Sequence, residues 1–318
     1  YFDSNVDEDA LTYLSLANAL VHAHRPEAIT IAEDVSGMPG LGVSLSEGGY
    51  GFDYRFAMGV PDHWIKLTKD TPDENWSLGH LWYELINRRS DEKTISYAES
   101  HDQALVGDQS LIFRLIGADM YDHMHIESDH WGVNRGMALH KLIRLITLAT
   151  AGSGYMNFMG NEFGHPEWID FPREGNNWSY HYARRQWHLL DDRQLRYHLL
   201  ARFDRQMMTI ARQHNLLASA GPRQLYEHGS DQVICFERAG LIFAFNFHPD
   251  RSYTDYRFPA PTGTFQTILD SDAAAFGGHG RNRPDQVHHC LGDPKSEQWD
   301  PHLSLYLPSR SAQVLRPV

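Results

Sequence analysis

Short apolar runs that stop at acidic residues recur through the first two-thirds of this chain. Ala28 to Ala32 has β-branched and small side chains with only Thr30 polar, and it gives way to Glu33-Asp34 and then Gly37-Met-Pro-Gly40. Thr94 to Ala98 repeats the plan and stops at Glu99-Ser-His-Asp102. Gly154 to Gly160 does so again and stops at Asn161-Glu162. Runs of this length without polar alternation predict strands buried on both faces, as in a parallel sheet. Gly51 to Ala57 predicts a shorter strand.

Between the runs the apolar period becomes helical. Leu11, Leu14, Leu16, Ala17, Leu20 and Val21 mark most of one side of a helix over 8–24, which predicts packing on a sheet. Arg25-Pro26 ends it, since proline cannot continue the hydrogen-bond ladder. Further helices are predicted from Pro61, over 77–87, over 134–150 and over roughly 195–213, with a short one within 110–121. The helix over 134–150 is apolar on most of its surface and should be well covered. Residues 35–52, rich in glycine and serine, predict a loop over the face where the acids emerge.

After Ala218 the texture changes to short β-rich runs at 232–237, 241–247, 264–269, 303–307 and 311–315, separated by turn signals such as Arg238-Ala-Gly240. This predicts two domains: an α/β unit over 1–218 and an all-β unit over 219–318.

Composition changes the picture mainly by exclusion. A net charge of -13 argues against nucleic acid or an anionic membrane as partner, but does not repel a neutral polymer. No run reaches the apolar length of a membrane span. The two cysteines, Cys235 and Cys290, are too far apart in sequence for a zinc motif and suit a reducing compartment. The expected location is the cytoplasm, with a plastid as the alternative.

Glu33, Asp53, Asp102 and Glu162 lie in or just after the predicted strands. Acids at successive strand ends are the pattern of the active face of a (β/α) barrel. Paired carboxylates there suit acetal hydrolysis or transfer, one protonating the leaving oxygen while another attacks or stabilises the positive centre. His101 beside Asp102 is either a sugar-hydroxyl donor or a buried hydrogen-bonded group. Asp34 and Glu99, neighbours of other acids on their strands, point to the opposite face. Glu162 and His165 are rim residues or loop anchors. Tyr97, Trp131, Trp168, Trp178, Tyr180, Tyr182 and Trp187 concentrate around rim segments, where one or two could stack on sugar rings. His123, His125 and His130 sit in a polar segment without a framing strand or cysteine, so no metal is expected. The glycines of 47–51 lack the lysine of a phosphate loop.

Longer blocks carry a resemblance. Glu27-Ala-Ile-Thr-Ile-Ala-Glu-Asp-Val-Ser-Gly-Met-Pro39, Gly51-Phe-Asp-Tyr-Arg55, Tyr97-Ala-Glu-Ser-His-Asp-Gln-Ala-Leu-Val-Gly-Asp108, Phe158-Met-Gly-Asn-Glu-Phe-Gly-His-Pro-Glu-Trp168 and Asn177-Trp-Ser-Tyr-His-Tyr-Ala-Arg-Arg-Gln186 closely resemble the eukaryotic-type 1,4-α-glucan (glycogen or starch) branching enzymes of the α-amylase superfamily. The resemblance runs over essentially the whole chain. It implies the second half of a (β/α)8 TIM barrel, from the helix after the fourth strand, followed by a β-sandwich.

It also implies a retaining transglycosylase without a cofactor or metal, acting on α-1,4-glucan. Glu33 matches the general acid/base, Asp102 the transition-state stabiliser and His101 a sugar-contacting residue. Asp53 and Trp178 are expected to help bind substrate. The family's nucleophile, in a Gly-Phe-Arg-Phe-Asp block, does not occur in this sequence. The expectation is therefore that the parent protein branches glucan while this chain alone is inactive and needs the missing half to fold well. The alternatives are a glucan-binding module and a related debranching hydrolase.

Overall fold

The structure is a computed structural model that describes residues 5–106, 109–166, 170–292 and 301–318. Strands β1 (Ile31–Ala32), β2 (Tyr54–Phe56), β3 (Thr94–Ser96) and β4 (Gly154–Tyr155) form a parallel sheet in chain order. Ile31 faces Tyr54, Arg55 faces Thr94 and Ile95 faces Gly154. Helix α1 (Glu8–His24) precedes β1, and α2 (Gly59–Asp70) and α3 (Leu78–Ile86) connect β2 to β3. Helices α4 (Leu111–Ile116), α5 (Asp119–His123) and α6 (Trp131–Thr150) connect β3 to β4, and α7 (His188–Asp191) and α8 (Tyr197–Gln213) follow. Parallel neighbours in chain order, with helical crossovers, are half of a (β/α)8 barrel. The ladder is shorter than the apolar runs: β1 and β2 begin later than their runs do, and β3 and β4 end earlier.

Helix α1 begins where expected, with the Asp7 side chain accepting from the Ala10 amide at 2.9 Å and Glu8 and Asp9 in its first turn. Its packing differs from the expectation. Tyr13, Leu16, Leu20 and Val21 are exposed, as are Ile29 and Ile31 beside it. Among the described residues, β1 has no neighbour on its outer side. Helix α6 is covered as expected, and even its His140, Lys141 and Arg144 are buried.

The chain then forms β5 (Arg223–His228), β6 (Val233–Arg238), β7 (Leu241–Asn246), β8 (Tyr253–Pro259), β9 (Gly263–Asp270), β10 (Val287–Cys290), β11 (His302–Leu307) and β12 (Ser311–Pro317). A six-stranded antiparallel sheet of order β10-β9-β12-β7-β6-β5 faces the pair β11-β8. Val233, Cys235, Ile242 and Ala244 enter the core between these sheets with Phe258, Leu303 and Leu305. Their alternates Ile234, Phe236, Phe243 and Phe245 join the core built around α6. The central strands are thus buried on both faces, which is why Leu241 to Phe247 reads as a nearly continuous apolar run.

Polar groups fasten the sandwich to the helices. The buried Arg238 guanidinium donates to the carbonyls of Ala149 (3.0 Å), Ala151 (2.6 Å) and Gly152 (3.1 Å), satisfying the end of α6 with a cation where its dipole favours one. Lys141 Nζ donates to the carbonyls of Ser271 at 2.5 Å and Phe276 at 3.0 Å. Asp73, between α2 and α3, is buried and binds Arg135 of α6 at 2.6 Å and Arg310, before β12, at 2.7 Å.

Candidate active site

The ends of β1 and β3 deliver acids to one rim. Glu33 follows β1 directly and is exposed. It lines a groove of about 670 Å³ with Ala32, Asp34, Met38, Phe52 and, from α1, Leu14. Asp34 points elsewhere, to the guanidinium of Arg55 at 3.3 Å. Arg55 is buried and also donates to the Met38 carbonyl (2.8 Å) and to Glu92 (3.1 Å). Glu92 accepts the amides of Gly40 (2.9 Å) and Gly42 (3.2 Å), so the glycine-rich loop is tied down across the sheet.

After β3 the chain stays buried through Ser100 and then exposes His101 and, in part, Asp102, at the start of the π-helical turn Asp102–Val106. His101 Nε2 lies 3.3 Å from Asp102 Oδ1. The turn is braced by Gln103. Its Oε1 accepts from the amide and hydroxyl of Ser100 at 2.8 and 2.9 Å, and its Nε2 donates to Asp62 of α2 at 3.1 Å.

Glu33 and Asp102 act on one common neighbour. The Tyr97 phenol is buried and its pKa is pushed far up, first by burial and then by the negative charges of Asp102, Asp62 and Glu33. Three negative charges therefore add to burial in keeping the phenol protonated. Behind them Glu99 is fully buried and accepts from Asn161 Nδ2 at 2.8 Å. Burial raises its pKa to about 7, against the opposing hydrogen bonds of Leu111 and Asn161 and the charges of Arg185 and Arg144. Arg185 lies over the Phe158 ring at 4.7 Å, and burial lowers its pKa to about 10.

Other expected residues are placed differently. Asp53 precedes β2 and therefore lies at the opposite end of the strands from Glu33. Its carboxylate accepts the Thr30 amide at 2.7 Å and contacts His22 Nε2 at 2.9 Å. Partial burial pushes its pKa up, but the Thr30 and His22 hydrogen bonds outweigh this and hold it below the usual value. Asp53 joins α1, β1 and β2 away from the rim where Glu33 emerges, a placement that favours a structural role over the expected substrate contact. Trp178 is exposed in the segment after β4 with φ of 57°. Trp168 lies outside the described residues. Glu162 accepts from Asn157 (2.9 Å) and the Gly160 amide (2.8 Å), and His165 is buried with Nε2 accepting the Gln186 amide at 3.0 Å. Both are loop anchors.

Sequence reasoning missed Asp62 and Gln103. The available signal for Asp62 was its position beside Pro61 in the first turn of the helix after β2, where first-turn side chains reach the same rim.

Residues 226–318 match the model of the alpha amylase C-terminal all-beta domain. A 1,4-alpha-glucan-branching enzyme of Equus caballus is 54% identical over 321 residues, covering 100% of this chain and 46% of the relative. One of Dictyostelium discoideum is 49% identical and covers 100% and 47%. Among solved structures, an alpha-amylase of Geobacillus thermoleovorans in complex with acarbose superposes with a TM-score of 0.59 at 14% identity, over 96% of this chain and 56% of that one. The alpha-amylase of H.orenii gives 0.57 at 13% identity, over 100% and 59%, so both support the fold alone. The chain spans about half the length of the curated relatives it matches, 46% for the horse enzyme. With identity near one-half along its entire length, the chain belongs to the 1,4-alpha-glucan-branching enzyme family and corresponds to its C-terminal part.

Proposed function

We propose that the protein carrying this chain cuts an α-1,4-glucan and transfers the freed segment to a glucose 6-hydroxyl, with retention. The observation that carries this reading is the emergence of Glu33 after β1 and of Asp102 in the turn after β3, at the same end of one parallel sheet. In a double displacement Glu33 protonates the leaving oxygen, then as carboxylate takes the proton of the acceptor hydroxyl. Asp102 stabilises the positive sugar centre, and His101 hydrogen-bonds its hydroxyls. The nucleophilic aspartate belongs to a block that this sequence does not contain. The exposed apolar side of α1 and the free edge of β1 fit cover by the preceding barrel units. The groove beside Glu33 would then be one wall of the substrate cleft. The two buried free thiols, Cys235 and Cys290, suit a reducing compartment, and we place the protein in the cytoplasm.

The test is a proton NMR count of α-1,6 linkages formed from amylose, with reducing ends counted in the same sample. The full-length protein should form α-1,6 linkages without a matching rise in reducing ends. A rise in reducing ends alone would mean hydrolysis. Glu33→Gln and Asp102→Asn should each lower the rate at least ~10²-fold, and full activity in either variant would overturn these roles. This chain alone should form none.

A further inference from the structure

Helices α2 and α3 bring together three side chains outside the acidic rim network. His63 comes from α2, and His80 and Glu84 come from α3, where a spacing of four residues puts them on one face. The His63 and His80 rings are nearly perpendicular, at 82° with centroids 5.1 Å apart. His80 Nε2 lies 3.7 Å from Glu84 Oε1, and one ligand atom from each of the three residues lies within 4.8 Å of the others. Donors on a tetrahedral zinc ion are about 3.3 Å apart, from bond lengths near 2.0–2.1 Å. Small rotamer changes would close the difference.

His63 supplies the second observation. Its Nε2 is buried and has no hydrogen-bond partner, an arrangement that costs free energy unless something else takes the lone pair or proton. A ring with an unused buried nitrogen, facing another imidazole and a carboxylate, is a ligand in waiting. A second group, Asp119, His123 and His130, is also compact. There the two imidazoles stack face to face, 4.2 Å apart and 6° from parallel, so their ring planes do not converge on one point, although His130 Nδ1 is likewise buried without a hydrogen-bond partner.

We propose that His63, His80 and Glu84 bind a divalent transition cation of the zinc class, which pins α2 to α3. Two imidazoles and a carboxylate suit zinc, whereas calcium and magnesium favour all-oxygen shells. His80 is 59% exposed at its side chain, so solvent can supply a fourth ligand. The ion would clamp α2, whose Asp62 braces Gln103.

The test uses full-length protein without a histidine tag, stripped with a chelator. Cobalt(II) is titrated as the spectroscopic probe, and zinc then competes against a chromophoric chelator. One equivalent of cobalt should give the intense visible bands of a tetrahedral site, and zinc should displace it. His80→Ala and Glu84→Gln, both on solvent-facing side chains, should each weaken zinc binding at least ~10-fold. His123→Ala should leave it unchanged. Tetrahedral bands that persist in His80→Ala, that vanish in His123→Ala, or that never appear would each overturn the assignment.

Discussion

The side-chain amide of Asn161 donates to Glu99 across 2.8 Å, joining the turn after β4 to the turn after β3 beneath His101 and Asp102. The carboxyl it meets titrates at about 7, because burial penalises its charge more than its partners favour it. Its pKa is raised on folding, so native Glu99 holds its proton where the unfolded chain has lost it. Stability should fall as pH rises from the ordinary glutamate value of 4.5 to about 7. Glu99→Gln should flatten that window, by at most on the order of 3 kcal/mol. Urea midpoints at pH 5 and pH 8 check it, with a larger wild-type difference expected.

Gln103 braces the turn that carries Asp102 by accepting from Ser100 and donating to Asp62. Gln103→Ala should lower kcat by about 10²-fold through misplacement of Asp102, with a much smaller change in thermal midpoint. Steady-state branching assays alongside calorimetry separate the two. A kcat unchanged from wild type would show that the brace is dispensable.

Asp53→Asn distinguishes a structural role for this carboxylate from substrate binding. Its carboxylate joins Thr30 to His22 away from the rim, so kcat should stay near the wild-type value while stability drops by about 1 kcal/mol. Because its pKa is depressed in the fold, this contribution is present above the ordinary aspartate value of 3.8 and is lost as pH falls through the lower native value. A large loss of kcat at unchanged stability would return Asp53 to the substrate site.

Gly136 lies where α6 meets α4. A Cβ there would meet Ile116 Cγ1 at 2.2 Å and the Leu115 carbonyl oxygen at 3.3 Å. Alanine, normally the better helix former, should therefore destabilise by about 1–3 kcal/mol. Chemical denaturation would show it, and a stabilised Gly136→Ala would mean that α4 can shift.

The strand ends were legible because a buried parallel strand must be apolar throughout and the acid that follows it stands out. Glu33 and Asp102 were found this way. Asp53 defeated the same rule, since an acid beside a strand looks alike in sequence whether it precedes or follows the ladder. The bounds of α1 were legible from Asp7 and Arg25, but its exposed Leu16 and Leu20 were not, because periodicity marks an apolar face without saying what covers it. Strands β5, β8 and β10 escaped notice because Arg223, Glu227, Asp255, Arg257 and His289 interrupt them. These are edge or outward positions where polar side chains cost little.

Asp73 carries a last prediction. It is held below the usual carboxylate range because the Arg135 and Arg310 hydrogen bonds outweigh the opposing effect of burial. Asp73→Asn would leave two guanidinium groups near the interior without their counter-charge, at a cost of about 3–5 kcal/mol. The loss should appear as a lower urea midpoint with an unchanged slope.

The same residue limits how freely the two halves of this chain could be exchanged between relatives. Arg310 reaches Asp73 from the loop before β12, and Gln232 donates to the Asp73 carbonyl at 2.9 Å from beside β6. A sandwich transplanted from a distant amylase, lacking an arginine at that loop, would leave the buried Asp73 carboxylate with one of its two guanidinium partners, Arg135. A lineage that shuffles these modules would need the arginine and the aspartate together.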